Sequence, residues 1–402
     1  MKPGIPIAED TFWVGVNDRD TRLFESLWPL PHGMAYNAYL IADRKVALID
    51  AVKGLYFPHF VRTVRDLLPE GRTLDYLVIN HIEPDHSGAV RALLEMFPGL
   101  QVVGNRKTAE FLEHLHGVTD AVRIVEEGSE LDLGGRKLRF FLTPMVHWPE
   151  TMLTYDPRTR VLFTGDVFGG YGNLEGGIFD EDAPDRGFFE DEMLRYFSNV
   201  LGKFGPMVAK ALGRVRGLDV AVIAPAHGLV WRQDPARPLE LFDRWSRHEV
   251  APGVVVAYGT MYADGERMME FLARRLVEEG IRDIRVHDVS RSHLSYILRD
   301  LWRVRGLVVG TPTYNLGIFP PVEDVLRYLE SKRVRNHVLG IFGTYGWSGG
   351  GVKGVREWAG RAEWELVEPV VEARFSPKPE DFEGLTRLAQ NLAARVQRPS
   401  DA

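Results

Sequence analysis

Between Asn80 and Gly88 the chain reads Asn-His-Ile-Glu-Pro-Asp-His-Ser-Gly, which sets His81, Glu83, Asp85 and His86 within six positions. Neutral imidazole and carboxylate are ligands for zinc, iron or manganese, and a pair of metals needs several of them close together. Three more candidates stand where apolar runs end. His147 follows Phe140–Pro144, Asp166 closes Thr164-Gly165-Asp166, and His227 sits in Ala224-Pro225-Ala226-His227-Gly228. A rigid sheet presents functional side chains where its strands run out. Alone, each of these is an ordinary surface or core residue. With the 80–88 stretch they form a set large enough for a two-metal site. Cysteine is absent from the chain. That excludes disulfides, thiolate nucleophiles and cysteine-held iron–sulfur centres, so any metal is held by nitrogen and oxygen.

A second group of residues suits a phosphate and a flat ring. Gly259-Thr260-Met261-Tyr262-Ala263-Asp264-Gly265 follows one apolar strand and leads into a helix. Its backbone N–H groups, the Thr260 hydroxyl and the helix N-terminus suit a phosphate. Gly310-Thr311-Pro312-Thr313-Tyr314-Asn315-Leu316-Gly317 follows another strand, and Gly343-Thr344-Tyr345-Gly346-Trp347-Ser348-Gly349 a third. Small residues let backbone approach a ring, and Tyr314, Tyr345 and Trp347 offer surfaces to stack on it. One such loop is usually a tight turn; three at one sheet edge point to a mononucleotide. Asp264 is discordant, because a carboxylate beside a phosphate is repulsive unless it turns away or caps the helix.

The elements that must position these residues fall into two patterns. Up to about residue 250, strands are expected at Thr11–Val16, Tyr36–Ile41, Val46–Asp50, Leu74–Ile79, Gln101–Val103, Lys137–Leu142, Met152–Tyr155, Val161–Thr164 and Val220–Ala224. Helical spacing marks Gly54–Leu68, Ala89–Met96 and Lys107–Leu115. Asp156-Pro157-Arg158-Thr159 is a turn sequence that makes a hairpin of its flanks. Hairpins interleaved with crossovers fit a mixed α/β sandwich. After Pro252-Gly253 the pattern becomes regular. Strands at Val254–Tyr258, Ile284–Val286, Gly306–Val309, His337–Phe342 and Leu366–Val371 alternate with helices at Glu266–Glu279, His293–Val304, Pro321–Leu329, Val352–Arg361 and Glu380–Val396. Five such units predict a doubly wound parallel sheet, with its ligand outside the carboxyl ends of the strands. The expected domains are therefore 1–250 and 251–402, and the tail from Gln397 is expected to fray.

A formal net charge of −7 gives no support for nucleic-acid binding. No apolar run approaches the roughly 18 residues of a membrane span, and the N-terminus lacks a secretory core. The expectation is a cytoplasmic protein.

His81-x-Glu83-x-Asp85-His86, then His147, Gly165-Asp166 and His227, resembles the ligand series of the metallo-β-lactamase fold. Glu83 stands where hydrolases of that fold usually carry histidine, and an added carboxylate favours redox-active iron over zinc. This variant resembles the flavodiiron proteins, as do Tyr36-Asn37-Ala38-Tyr39-Leu40, His147-Trp148-Pro149-Glu150, Gly165-Asp166-Val167-Phe168-Gly169 and His227-Gly228-Leu229-Val230-Trp231-Arg232. The three loops of the second domain resemble the flavin mononucleotide (FMN) site of flavodoxins.

The resemblance covers nearly the whole chain. It implies a metallo-β-lactamase-like αββα sandwich followed by a flavodoxin-like sheet, with two non-haem irons and FMN as cofactors. One iron falls to His81, Glu83 and His147, the other to Asp85, His86 and His227, with Asp166 bridging. Asp166, His81, Glu83 and Asp85 are the implied catalytic residues. Tyr196 is a candidate for a hydroxyl just outside the ligands, and His32 a weaker one. The implied activity is reduction of dioxygen to water, of nitric oxide to nitrous oxide, or both. Electrons come from an external donor such as a rubredoxin or flavin reductase. The implied assembly is a head-to-tail homodimer, or a dimer of dimers. Two other readings compete: a zinc hydrolase with a passive second module, and an electron carrier or redox sensor with a decayed metal site.

Overall fold

The computed structural model describes residues 4–398. The chain divides into two compact units between Arg247 and His248.

The first unit holds two large sheets and two two-stranded ones, Val16–Asp18 with Met34–Tyr36 and Leu23–Phe24 with Trp28–Pro29. The largest runs in the order Ile5–Ala8, Thr11–Trp13, Tyr39–Ala42, Val46–Ile49, Tyr76–Val78, Gln101–Gly104, Val122–Ile124. It is antiparallel as far as Val46–Ile49 and parallel beyond. Val46–Ile49 and Tyr76–Val78 are buried along their whole length, which accounts for their unbroken apolar sequence. The second sheet is a meander of Glu130–Asp132, Lys137–Leu142, Met152–Asp156 and Val161–Phe163, closed by Val222–Ala224 in parallel. The expected hairpin at 156–159 is present. Asp156 accepts from Arg158 N at 3.0 Å and from the Thr159 hydroxyl at 2.6 Å, and buried Arg136 neutralises it at 3.0 Å.

Local signals account for several helix ends. Asn105 caps Arg106–His116 by accepting from Lys107 N and Thr108 N, and Gly117 ends that helix in a left-handed conformation at φ 63°. The helix expected over 89–96 begins at Val90, after a separate one-turn helix at Pro84–Ser87. Three helices not read from the sequence, Arg186–Tyr196, Gly205–Val215 and Ala236–Ser246, fill the stretch before the boundary.

The second unit is a parallel sheet in the order Ile284–Asp288, Ala251–Tyr258, Val304–Tyr314, Val338–Tyr345, and then a last strand in two pieces. This is the doubly wound order 2-1-3-4-5, whose switch point lies between the first and third strands. Val254, Val256 and Val308 of the sheet pack with Met268, Leu272 and Leu276 of one helix and Leu385, Leu388 and Leu392 of another. The expected strand at 366–371 is instead Glu365–Leu366 and Val371–Arg374. Pro369, which has no N–H to give a ladder, sits in the gap. Gln397 is not frayed: it follows the last helix and its side chain donates to Glu279 O at 3.1 Å. The rest of the expected fraying, at 399–402, lies outside the described residues.

Candidate metal centre

The 80–88 loop is anchored before it turns. Asn80 donates from its backbone N and its Nδ2 to buried Asp50 at 2.7 and 3.1 Å, and accepts from the Thr154 hydroxyl at 2.7 Å. The one-turn helix at Pro84–Ser87 swings Asp85 and His86 back under His81. The Ser87 hydroxyl holds that turn by donating to Ile82 O at 2.6 Å.

The candidates converge in two groups. His81, Glu83, His147 and Asp166 form one, and Asp85, His86 and His227 the other. Glu83 Oε2 lies 3.0 Å from His81 Nε2 and 3.2 Å from His147 Nε2. Asp166 Oδ2 joins them, 3.1 Å from His147 Nε2 and 3.4 Å from His81 Nε2. Asp166 Oδ1 points the other way, 3.0 Å from His86 Nε2 and 3.4 Å from His227 Nε2. Asp85 spans those two histidines, 3.4 Å from each. Ligands about 2.1 Å from a common ion lie about 3.0–3.4 Å from one another. Each group therefore has the spacing of a coordination shell, and Asp166 gives one oxygen to each.

The donor atoms themselves test the fit to metal. Both Asp85 oxygens, Asp166 Oδ1, His86 Nε2 and His227 Nε2 are buried without a hydrogen-bond partner. Five orphaned lone-pair atoms facing one point are costly in the apolar interior unless a cation sits among them. The far ring nitrogens agree. His81 Nδ1 is 2.7 Å from Glu150 Oε1, and His227 Nδ1 is 2.8 Å from Ala35 O, so both rings turn Nε2 inward. The electrostatics point the same way. Burial alone would lower the His147 and His227 pKa values. The carboxylates of Asp166 and Glu83 raise His147 to about 9, and those of Asp166 and Asp85 raise His227 to about 10. Burial would raise Glu83 and Asp166, but the surrounding imidazoles hold both low. Without metal such a centre holds protons, and a divalent cation displaces them.

Aromatic rings wall the second group. Tyr36 and Tyr196 each lie with ring centroids 5.6 Å from that of His227, and Phe24 at 6.1 Å. The buried Tyr196 hydroxyl has no hydrogen-bond partner, and burial with the fields of Asp166, Asp85 and Glu83 keeps it protonated. His32 is placed elsewhere, its ring edge-on to Phe188 at 4.9 Å. Sequence reading missed Glu25, Ala35 and Glu150. Burial and a hydrogen bond to Glu83 raise the Glu25 carboxyl to about 8. Glu150 lies inside the run His147-Trp148-Pro149-Glu150, and its position beside a ligand was the available signal.

In the second unit the three loops line one cleft of about 430 Å³, within the range of cofactor sites. Thr260, Met261, Tyr262, Asp264 and Gly265 come from the first loop. Pro312, Thr313, Tyr314 and Asn315 come from the second, and Thr344, Tyr345, Gly346, Trp347 and Ser348 from the third. Leu316, Phe375 and Ser376 also line it and were not anticipated. Ala263, Thr311 and Gly349 are not on the lining. Ala263 takes a left-handed φ of 68° at the start of the Asp264–Glu278 helix. Thr311 is buried, and its hydroxyl donates to Pro312 O. Gly349 backs onto Glu372. Asp264 does not cap the helix; it pairs with Arg267 at 3.3 Å and accepts from the Ser376 hydroxyl. Gly265 closes the phosphate-type turn, where a Cβ would lie 2.9 Å from Gly259 O.

Two groups of candidate metal ligands sharing Asp166 on a two-sheet sandwich, with a cleft of cofactor size on a parallel sheet, fit a two-cofactor redox protein. Residues 34–228 match the family model for the ODP family beta lactamase, and residues 256–387 the model for flavodoxin. The chain is 33% identical to a nitric oxide reductase of Moorella thermoacetica, over 98% of this chain and all of that one. Its structure matches the rubredoxin oxygen:oxidoreductase of Desulfovibrio gigas with a TM-score of 0.92 and 28% identity, covering 98% and 100% of the two chains. It matches the flavodiiron protein of Giardia intestinalis with a TM-score of 0.91 and 25% identity, over 97% and 96%. The chain belongs to the flavodiiron protein family.

Proposed function

We propose that this chain is an oxidoreductase that reduces dioxygen to water, nitric oxide to nitrous oxide, or both, at a non-haem di-iron centre fed through FMN. The observation that carries the reading is Asp166, which turns one carboxylate oxygen toward His147 and His81 and the other toward His86 and His227, where the inward atoms of His86, His227 and Asp85 have no hydrogen-bond partner. His81, Glu83 and His147 would hold one iron, and Asp85, His86 and His227 the other. When bound, the irons supply electrons and open positions for a diatomic molecule, and FMN relays electrons singly from a donor.

The chain's own residues do the rest. Asp166 fixes the separation of the two halves. Tyr36, Tyr196 and Phe24 exclude water from the second half and leave one hydroxyl, that of Tyr196, free to donate to a substrate. Four protons are consumed with four electrons per dioxygen, and two with two electrons per pair of nitric oxide molecules. The site must therefore admit protons while excluding bulk water.

The loops at 260–265, 312–316 and 344–348 are read as the FMN site, which makes 1–250 the di-iron domain and 251–402 the FMN domain. The absence of cysteine requires an external donor, and a rubredoxin or a flavin reductase would serve. Among the described residues no helix is long and apolar enough to cross a membrane. We read the enzyme as cytoplasmic. A head-to-tail homodimer that sets each flavin beside the partner's irons completes the reading. Glu83 and the second cleft both count against a zinc hydrolase.

Elemental analysis of freshly purified protein tests the reading. About two irons per chain, with oxygen or nitric oxide consumption under anaerobic electron supply, are expected. Zinc that persists when iron is abundant would return the hydrolase to first place.

A further inference from the structure

Glu150 plays no part in the ligand set, yet it is fully buried and sits directly behind it. Its Oε1 accepts from His81 Nδ1 at 2.7 Å and from Ile82 N at 3.0 Å. Its Oε2 is buried without any hydrogen-bond partner. Among the described residues its only ion-pair contact is His81. The peptide that carries it is clamped as well, because the Asn105 side chain donates to Glu150 O. A buried carboxylate with one oxygen unused is expensive unless positive charge lies close by. A cation held at His81 Nε2, on the far side of the ring, would compensate it.

The other half of the centre is backed differently. His227 Nδ1 donates to Ala35 O, a neutral backbone carbonyl. Around the first half stand Glu83, the shared Asp166 and Glu150; around the second stand Asp85 and the shared Asp166. By direct contact the first half thus has one more carboxylate, delivered through a histidine, whereas buried Asp50 acts on both His86 and His81 from beyond ion-pair distance. A carboxylate behind a ligating histidine fixes its tautomer and increases its basicity, and losing such a partner typically costs about 10–100-fold in metal affinity.

We propose that Glu150 is a positioning residue that makes the two metal sites unequal, so that the His81–Glu83–His147 half binds its metal more tightly and fills first. This inference rests on the two-metal reading above. Glu150 does not touch substrate or metal; it acts through His81.

The test is anaerobic titration of metal-free protein with cobalt(II), followed by the visible absorption of the bound ion, with FMN absorbance as the check on folding. Two tight steps are expected for the unaltered chain. Glu150→Gln keeps the shape but removes the charge, and should weaken the first step about 10–100-fold while sparing the second. Two backgrounds assign the step. With His227→Ala crippling the second half, adding Glu150→Gln should weaken the remaining site. With His147→Ala crippling the first, it should change the remaining site little. Glu150→Asp, which keeps the charge, should recover part of the lost affinity and takes the place of the glutamine variant if that fails to fold. Equal weakening of both sites, or of neither, overturns the proposal and leaves the two-metal reading standing. No tight cobalt binding by the unaltered chain overturns both.

Discussion

His86 and Asp166 meet with Nε2 3.0 Å from Oδ1 and no hydrogen-bond partner for either atom. Two buried groups at that distance without hydrogen-bond geometry are both aimed at a third thing. The one-turn helix at Pro84–Ser87 brings His86 there, and the left-handed Gly165, at φ 54°, lets Asp166 leave its strand toward it. The pair defines the second half of the centre, just as His147 and Asp166 define the first.

Asp166→Ala removes one oxygen from each half. It should lower iron content in both and abolish oxygen and nitric oxide reduction. FMN should stay bound, because its cleft is built from residues beyond 259. Metal analysis, flavin absorbance and gas-electrode assays check this together. Retained turnover would mean that the bridge is misassigned.

Tyr196→Phe is informative because the hydroxyl it removes is buried and unpartnered. Deleting an unsatisfied polar atom leaves no other group orphaned and removes its desolvation cost, so the variant should be at least as stable as the unaltered chain. Iron and FMN content should hold. If the hydroxyl donates to the reacting molecule, turnover should fall about 100-fold. Unchanged turnover alongside undiminished stability would make the hydroxyl idle.

The candidate ligands that the fold gathers were legible because histidine and carboxylate are conspicuous at the ends of buried strands, and the second unit because strand and helix alternate in it without interruption. The supporting shell was not. Glu150 and Ala35 reach their histidines across 69 and 192 positions of chain, a relation that only the fold creates. Glu25 sits in a turn where it and Ser26 both take left-handed φ values, 47° and 57°, which neither residue type advertises. The Arg186–Tyr196 helix was missed for a different reason. Glu192 and Arg195 are buried in it alongside Phe189, Met193, Leu194 and Tyr196, paired to each other at 2.5 Å. Two charges facing inward erase the apolar stripe that marks a surface helix.

The second unit should lose stability on acidification, and the sign follows from two groups. Burial, with His337 and Arg335 nearby, pushes His248 down to about 4. An unfolded histidine titrates near about 6.5, so the unfolded chain takes the proton first, and this contribution is lost as pH falls from about 6.5 to about 4. Burial would raise Asp300, but His287 and Arg299 outweigh it and hold the carboxyl at about 2. That contribution is present above an ordinary carboxyl pKa and disappears as pH falls toward 2. His248→Phe keeps a ring against Trp302, whose centroid lies 4.1 Å away, and removes the titration. Urea midpoints of the two proteins should converge between neutrality and pH 4.5; parallel curves would count against the assignment.

Gly265→Val tests the phosphate turn. A Cβ there would lie 2.9 Å from Gly259 O and 3.3 Å from the Thr260 hydroxyl, so the turn must open. FMN affinity should fall about tenfold or more, which corresponds to only about 1.4 kcal/mol. Iron content should be unaffected. Flavin titration of the apoprotein measures the first and elemental analysis the second. Undiminished FMN binding would place the phosphate elsewhere.

The rim of the cleft proposed for FMN bears on assembly. Tyr262 and Trp347 are 85% and 84% exposed, and Leu316 and Phe375 stand beside them at 63% and 61%. Large apolar side chains gathered around one cleft mark a surface that a bound ring or another surface covers. The proposed homodimer would supply that surface, and it would make activity depend on assembly because each flavin would serve the partner's irons. Diluting the loaded enzyme should therefore lower the rate per chain in step with the dimer fraction measured by light scattering. Iron and FMN should remain bound throughout. A monomer that turns over at the full rate would separate activity from assembly and remove the argument for electron transfer between chains.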